Sequence, residues 1–367
     1  MSATDPVHMP AGQAGRDGES RIRVMVVDDS LTARTVLCKI IDRADDLVLT
    51  ATANSAEQAM LRLEKVAVDV ILLDLEMPGM GGIAGLPGIM ERADGAQVLV
   101  VSALTAEGAE ETVEALAMGA ADTVQKPLPG KFDTAYREDL ANRIRALAGR
   151  AQPADGIAHF VPPAPQPATR KAPRAAIRCV AIGGSTGGIH SLFRFFGKLP
   201  RSFEPAIAVT QHLPKSFVPI FASQVEQASG RTARIAADGL ELVAGEVLIA
   251  PGDGHMAFEK RGNRVFVKIM RHTVVSGCCP SVDPMLDSLA HALDGDVVGV
   301  MLSGMGRDGS IGATTLVDKG GIMLAEARET CAVWGMPRGV AEAGLASHIA
   351  APEDLAAWIA TRMMVSQ

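Results

Sequence analysis

The feature that most constrains the fold is a repeated pattern of short apolar runs, each ended by polar residues and followed by a helical segment. Unbroken apolar runs without alternation are typical of strands buried on both faces, and strands that alternate with helices form parallel sheets. The strand runs of the first half lead into Asp28, Asp74, Ser102 and Lys126. The pattern therefore predicts doubly wound, mainly parallel α/β architecture.

The pattern occurs twice, which predicts two domains. At roughly 100–200 residues per domain, a chain of 367 residues has room for both. Between them, residues 161–167 contain four prolines, which favours an extended, semi-rigid linker. The second half also contains a β-hairpin that turns at Gly262-Asn263. The predicted layout is a disordered tail over 1–20, a first α/β domain over 21–148, a Pro/Ala-rich linker over 149–175 and a second α/β domain over 176–363.

Composition excludes several classes of function. The formal net charge of -7 argues against nucleic acid as a partner. No apolar run approaches the ~20 residues of a membrane span, so direct membrane insertion is not expected. The five cysteines are odd in number, and none of their spacings suits a metal site. Reduced thiols in the cytoplasm are the natural interpretation.

A first candidate site consists of polar residues at the ends of the strands in the first domain. Asp28, Asp29 and Asp74 follow the first and third strands, and the carboxyl ends of parallel strands form the ligand-binding edge. Grouped carboxylates repel each other unless a cation neutralises them, and oxygen ligands suit Mg²⁺. Asp74 is then a candidate nucleophile toward a phosphoryl group. Ser102 and Lys126 supply a hydroxyl and a positive charge to bind the phosphoryl oxygens.

These residues lie in motifs that resemble the receiver domain of response regulators, a flavodoxin-like (βα)5 fold. The matching motifs are Val27-Asp28-Asp29-Ser30, Leu73-Asp74-Leu75-Glu76-Met77-Pro78, Val101-Ser102-Ala103 and Gln125-Lys126-Pro127. The resemblance implies that Asp74 is the phosphoacceptor, that Asp28 and Asp29 bind Mg²⁺ with it, and that a histidine kinase is the phosphodonor. Thr123 stands where the family often has an aromatic switch residue, so no aromatic-ring switch is implied here.

The second candidate site begins at a Gly-rich turn. The first strand of the second domain runs into Gly183-Gly184-Ser185-Thr186-Gly187-Gly188, which contains the small-residue pattern of a nucleophile elbow. Glycines permit a sharp turn from strand to helix, and the N-terminus of the helix can stabilise negative charge near Ser185. Alone, such a turn is at least as often a phosphate-binding or dinucleotide-binding loop.

The ends of other strands favour a hydrolase over a phosphate loop. His212 follows the second strand of this domain and Asp308 follows a later one, so a hydroxyl, an imidazole and a carboxylate can meet at one edge. That is the composition of a catalytic triad, whose chain order differs between folds. His255 with Asp253 is a weaker rival pair.

The adjacent thiols Cys278 and Cys279 are the remaining nucleophiles of interest in this domain. Neither has a base near it in the sequence. We therefore interpret both as buried or loop thiols rather than as catalytic groups.

The second domain also resembles a known family, the CheB-type chemotaxis methylesterases. The motifs are Ile182-Gly183-Gly184-Ser185-Thr186-Gly187-Gly188, Gln211-His212-Leu213-Pro214, Ala250-Pro251-Gly252-Asp253-Gly254-His255-Met256, Pro280-Ser281-Val282-Asp283 and Ser303-Gly304-Met305-Gly306-Arg307-Asp308-Gly309. The resemblance implies Ser185 as nucleophile, His212 as general base and then acid, and Asp308 as the residue that orients His212. It also implies the Met305 N–H as an oxyanion donor and Thr186 as a site-lining residue.

The resemblance further implies a substrate, namely glutamate γ-methyl esters on the cytoplasmic bundle of chemoreceptors, with deamidation of receptor glutamines in some relatives. The leading hypothesis is an enzyme whose receiver covers the hydrolase site until Asp74 is phosphorylated, because the linker keeps the receiver at high effective concentration and phosphorylation weakens its docking. An alternative is a response regulator whose Gly-rich output domain binds a nucleotide without catalysis. Strict G-x-G-x-x-G spacing is missing, however, because Ser185 occupies the third position.

Overall fold

A computed structural model describes residues 21–102, 106–126, 133–149 and 177–365. The predicted tail over 1–20 and the linker beyond residue 149 fall outside these ranges, as do Ala103 and Pro127 of the receiver motifs. Among the helices in these ranges, none combines the length and the apolar character needed to cross a membrane.

The first domain is a five-stranded parallel sheet with helices between its strands, as predicted. The strands are β1 Ile22–Val27, β2 Leu47–Ala53, β3 Val70–Asp74, β4 Gln97–Ser102 and β5 Asp122–Gln125. The helices are α1 Leu31–Asp42, α2 Ala56–Leu63, α3 Gly81–Arg92, α4 Ala106–Met118 and α5 Thr134–Leu147. The strand order β2-β1-β3-β4-β5 places the end of β1 beside the end of β3. This order brings Asp28 and Asp74 to one edge.

The second domain is built on a seven-stranded sheet. Its strands, with those of a separate hairpin, are β6 Cys179–Gly184, β7 Ala206–Gln211, β8 Ala233–Ile235, β9 Val247–Ile249, β10 His255–Arg261, β11 Arg264–Met270, β12 Val297–Met301, β13 Ile322–Glu326 and β14 Ala346–Ala350. The helices are α6 Gly188–Lys198, α7 Val218–Ser229, α8 Val282–Ala292, α9 Ser310–Asp318, α10 Met336–Glu342 and α11 Pro352–Val365. The order β14-β13-β12-β6-β7-β9-β8 is parallel throughout.

The position of β6 explains why this sheet has a site. The chain leaves β6 toward β7 on one side and returns to β12 on the other, which makes β6 the point where the winding reverses. Crevices outside the carboxyl ends of strands at such a point are the usual ligand sites of open α/β sheets. Ser185 follows β6, His212 follows β7 and Asp308 lies beyond β12, so three neighbouring strands deliver the three candidate residues.

The hairpin was predicted from the sequence, whereas the two edge strands of the sheet were not. β10 and β11 pair antiparallel up to Arg261 and Arg264, around the Gly262-Asn263 turn that the sequence indicated. The edge strands β8 and β14 were not foreseen. Both are short and only half-buried, so neither shows the continuous apolar run by which the other strands were recognised.

Candidate active sites

Ser185 lies in a turn whose shape is set by glycine. Gly187 has φ 77° and begins α6, and a Cβ there would lie 2.6 Å from both Ala332 Cβ and Ser303 Oγ. Only glycine tolerates that conformation and that space. Ser185 is not among the described residues with positive φ. The turn thus differs from a strained nucleophile elbow, because the left-handed residue is Gly187 and not the serine.

His212 and Asp308 form a hydrogen-bonded pair. His212 Nε2 lies 2.8 Å from Asp308 Oδ2, and the Asp308 side chain is almost fully buried while that of His212 is 17% exposed. A buried carboxylate bound to one ring nitrogen fixes the orientation of an imidazole and stabilises its protonated form. This is the arrangement expected of the second and third members of a triad.

Asp308 is held by groups that the sequence did not assign to the site. Ser281 Oγ donates to its Oδ1 at 2.6 Å, and the Val282 N–H donates to its Oδ2 at 2.7 Å. Ser281 caps α8, so the carboxylate sits at the N-terminus of that helix. Burial alone would raise the pKa of Asp308, but His212 and these two donors outweigh burial and lower it. The Pro280-Ser281-Val282-Asp283 motif was the part of the sequence from which these contacts to Asp308 could have been predicted.

Cys278 is a half-buried loop thiol, as interpreted from the sequence, and it lies close to the same imidazole. The structure brings a ring nitrogen of His212, a base that the sequence did not place near this thiol, within 4.8 Å of its Sγ. Burial alone would lower the pKa of His212. The hydrogen bond to Asp308 and the nearby Cys278 overcome that effect and raise the pKa of His212 to about 9. The sequence could not reveal this contact, because it depends on the path of an irregular loop.

The backbone of Ser185 lies beside the strand end that precedes His212. Gly184 pairs with Gln211 in the sheet, and Gln211 Nε2 donates to Ser185 O at 2.8 Å, so the serine and His212 follow adjacent strand ends. Within the described residues, however, Ser185 Oγ makes no hydrogen bond, and none joins it to His212. In hydrolases without substrate this contact is often loose and tightens in the Michaelis complex.

The loop after β12 lies directly beside Ser185. The Ser185 N–H donates to Ser303 O at 3.0 Å, and a Cβ on Gly304 would lie 2.9 Å from Ser185 Cβ. Met305 follows, is 38% exposed, and its N–H makes no backbone hydrogen bond in the described part of the chain. That N–H is therefore available to an oxygen near Ser185.

A buried acid, Glu326, holds the loop that carries Ser303. Glu326 accepts hydrogen bonds from the Ser303 N–H at 2.8 Å and from Ser191 Oγ at 3.0 Å. Burial raises the pKa of Glu326 to about 7, against the effect of these donors. Ser303 Oγ in turn donates to Thr186 O at 2.7 Å. The Ser303 side chain thus connects the loop after β12 to the turn after Ser185.

The rival pair of His255 and Asp253 does not form. His255 is buried, its Nδ1 accepts from the Ser281 N–H at 3.1 Å, and its Nε2 lies 2.8 Å from His272 O. Asp253 instead pairs with Lys215. His255 therefore supports Ser281, and through it Asp308, without offering a free nitrogen.

The candidate phosphorylation site is a buried acid paired with a lysine. Asp74 is 1% exposed, its Oδ2 lies 2.5 Å from Lys126 Nζ, and its Oδ1 accepts from the Glu76 N–H at 3.1 Å. Burial raises the pKa of Asp74 to about 6, even though Lys126 acts in the opposite direction. The same lysine also lies within ion-pair distance of Asp28, so one positive charge is shared by two buried carboxyl groups.

The surroundings of Asp74 fit a divalent cation. Carboxylate oxygens of Asp28, Asp29 and Asp74 lie within 4.8 Å of one another. Asp28 Oδ2 is buried without a hydrogen-bond donor, and its ion-pair partner Lys126 Nζ is 3.4 Å away. An all-oxygen donor set with a spare buried oxygen suits Mg²⁺.

Ser102 is placed at the same edge but is engaged with α4. Its hydroxyl accepts from Thr112 Oγ1 at 2.7 Å and donates to Gly108 O at 3.3 Å. Both partners belong to α4. Any approach of Ser102 toward a phosphoryl group on Asp74 must therefore alter its contacts with this helix.

The first domain contacts the second next to Ser185. Thr186 Oγ1 donates to Asp122 Oδ2 at 2.8 Å, and the Gly187 N–H donates to Ala121 O at 2.6 Å. His190 Nδ1 on α6 lies 3.1 Å from Ala117 O on α4. Thr186, predicted to line the site, is buried and is held by the receiver in this structure.

Comparison with known proteins gives matches over nearly the whole chain. Two family models match: CheB methylesterase over residues 180–359 and response regulator receiver domain over residues 24–133. The protein-glutamate methylesterase/protein-glutamine glutaminase of Maricaulis maris is 34% identical, over 93% of this chain and 95% of that protein. The second such protein of Caulobacter vibrioides is 37% identical, over 93% and 99%. The crystal structure of the Thermotoga maritima CheB methylesterase catalytic domain matches with a TM-score of 0.49 and 35% identity, over 50% of this chain and 97% of that one.

Proposed function

The chain belongs to the CheB-type methylesterase family with an N-terminal receiver domain, and on that premise we propose that it removes methyl esters from glutamate side chains of chemoreceptors. The observation that carries the proposal is the His212–Asp308 pair at the strand end beside Ser185. The direct test is methanol release from a methylated receptor fragment by the purified chain. We place this reaction in the cytoplasm, with a histidine kinase as phosphodonor.

The proposed reaction is an acyl transfer through Ser185. Its Oγ attacks the ester carbonyl while His212 takes the hydroxyl proton, and the carbonyl electron pair moves to oxygen. The Met305 N–H and the N-terminus of α6 stabilise that oxyanion. Collapse breaks the C–O bond, and His212 returns the proton to the departing methanol. Water, activated by His212, then releases the glutamate and regenerates Ser185.

The same chemistry extends to amides. With a receptor glutamine in place of the ester, collapse releases ammonia and leaves the identical glutamyl-enzyme. The names of both relatives include a glutaminase activity, so we propose it as a second activity of this site. A nucleotide-binding output domain is not favoured, because the relatives that cover nearly the whole chain are named as esterases.

We propose that phosphorylation of Asp74 controls the esterase by releasing the receiver. Asp28, Asp29 and Asp74 would hold Mg²⁺, and the bound ion would supply positive charge beside the phosphoryl oxygens. Lys126 and Ser102 then contact those oxygens. Movement of Ser102 toward the phosphoryl group removes its contact with Thr112 on α4. Ala117, near the end of α4, contacts His190 of the second domain. A shift of α4 would therefore alter the interface between the two domains.

We expect removal of residues 1–148 to raise methanol release by roughly 5- to 150-fold, the usual range of coupling between sites. The receiver holds the turn after Ser185 through Asp122 and Ala121, so its loss frees that turn. In the full chain, Asp122→Ala should give part of the same gain. Asp139→Ala is the matched control, because it removes another partner of Arg143 away from Thr186. Equal rates with and without the receiver would exclude inhibition.

We expect esterase activity to rise with pH across the neutral range. His212 must be neutral to accept a proton, and its neighbours raise its pKa to about 9. The neutral fraction, and with it kcat/KM, should increase about tenfold per pH unit below that pKa. Asp308→Asn removes a group that raises the pKa, so its profile should turn over at lower pH and at a lower maximum. A profile that is flat over about pH 6–9 would contradict the assignment of His212 as the base.

A further inference from the structure

The loop before α8 adds a sulfur ligand to the His212–Asp308 pair. The Sγ of Cys278, a ring nitrogen of His212 and a carboxylate oxygen of Asp308 all lie within 4.8 Å of one another. Cys278 and His212 are half-buried, while Asp308 is buried. The proposed hydrolysis uses the imidazole and the carboxylate but assigns no part to the thiol.

Thiolate, imidazole and carboxylate together are a donor set for a borderline-soft divalent cation. Zn²⁺ binds sulfur at about 2.3 Å and nitrogen or oxygen at about 2.0–2.2 Å, which places ligand atoms of one site within a few ångströms of each other. Three protein ligands with a fourth position open to water is the common form of such sites. The acidic cluster of the receiver offers only oxygen, which suits Mg²⁺ instead.

Support around the three ligands is already in place. Ser281 Oγ and the Val282 N–H hold the Asp308 carboxylate from the side of α8, and such outer contacts orient metal ligands. The partial exposure of His212 leaves a path for the ion. To bind it, the Cys278 thiol and the His212 ring each release any proton at the ligating atom to solvent, and the 2.8 Å hydrogen bond between Nε2 and Oδ2 opens.

We propose that His212, Cys278 and Asp308 bind Zn²⁺ and that its binding switches the esterase off. A metal-bound imidazole cannot take the proton of Ser185, and a metal-bound Asp308 cannot orient that imidazole. The inference relies on the proposed function only for its inhibitory effect, because the site itself can be detected by metal binding. In this proposal Cys278 serves as a metal ligand, a role that neither the ester hydrolysis nor the phosphorylation of the receiver requires.

The test uses the full chain with Co²⁺ as a spectroscopic probe, in the presence of excess Mg²⁺. Wild type should bind Co²⁺ with a thiolate-to-cobalt absorption band that Zn²⁺ removes, and Cys278→Ser should lack the band. Cys279→Ser is the matched control, since it removes the adjacent, exposed thiol and should keep the band. Methanol release should show half-inhibition by Zn²⁺ at a concentration at least about tenfold higher in Cys278→Ser than in wild type.

The two readouts separate this inference from the proposed function. An active esterase that shows no thiolate band, or a band that survives Cys278→Ser, would overturn the metal site. So would equal Zn²⁺ half-inhibition in wild type and Cys278→Ser, each measured against its own uninhibited rate. A protein that shows the Cys278-dependent band but releases no methanol would support the site and refute the esterase.

Discussion

Ser185→Ala should lower methanol release by roughly 10⁴- to 10⁶-fold, the cost of removing the nucleophile from a serine hydrolase. The substitution should remove the reaction and leave the fold intact, because the hydrogen bonds of Ser185 are made by its backbone. Its N–H donates to Ser303 and its carbonyl accepts from Gln211, and alanine keeps both contacts. The measurement is single-turnover methanol release, with thermal unfolding of each variant as a check on the fold.

Ser202→Ala is a suitable control, because Ser202 is an exposed serine of the same domain. It should retain wild-type activity. Cys278 is a second nucleophile close to His212. If Ser185→Ala kept substantial activity and Cys278→Ser abolished it, the nucleophile would be the thiol, and the assignment of Ser185 would be wrong.

Asp74→Asn should reduce phosphoryl incorporation from acetyl phosphate or from a phosphorylated histidine kinase to background. The acyl phosphate forms when a carboxylate oxygen of Asp74 attacks phosphorus and the donor's leaving group departs, and an amide is not nucleophilic enough to replace it. Asparagine has nearly the same shape, and its single amide oxygen can keep one of the two contacts that Asp74 makes with the Glu76 N–H and Lys126, so the pocket should persist. The measurement is hydroxylamine-labile radiolabel on the intact protein.

The esterase provides a second measurement for the same variant. Phosphodonor should stimulate methanol release in wild type and leave Asp74→Asn unstimulated. Asp45→Asn, which changes an exposed acid of the receiver, should behave as wild type in both assays. Undiminished labelling of Asp74→Asn would place the phosphoryl group elsewhere and remove the basis for control through this edge of the sheet.

Much of this architecture could be predicted because buried parallel strands carry a strong signal. Runs such as the one preceding Asp74 are apolar at every position, and the carboxyl ends of such strands share an edge. Ser185, His212 and Asp308 could therefore be grouped before any coordinates were known. The half-buried strand β14 has no comparable run, which is why it was not recognised.

The contacts around the triad were harder to predict, because they depend on loops and on the docking of two domains. Cys278 lies within 4.8 Å of His212 on an irregular segment whose path has no sequence period. The bond between Thr186 and Asp122 joins two domains, and nothing in either local pattern specifies its partner. Glu326 is likewise a buried acid whose binding to Ser303 appears only when β13 is placed beside β12.

The bond between Thr186 and Asp122 also has a consequence for the receptor itself. Coupling between two sites is reciprocal, so the free energy by which a phosphorylated Asp74 favours an open hydrolase is equal to that by which an occupied hydrolase favours the phosphorylated receiver. A methylated receptor bound at Ser185 then acts as an effector as well as a substrate. At equilibrium, chains bound to methylated receptors would therefore be phosphorylated to a greater extent than unbound chains.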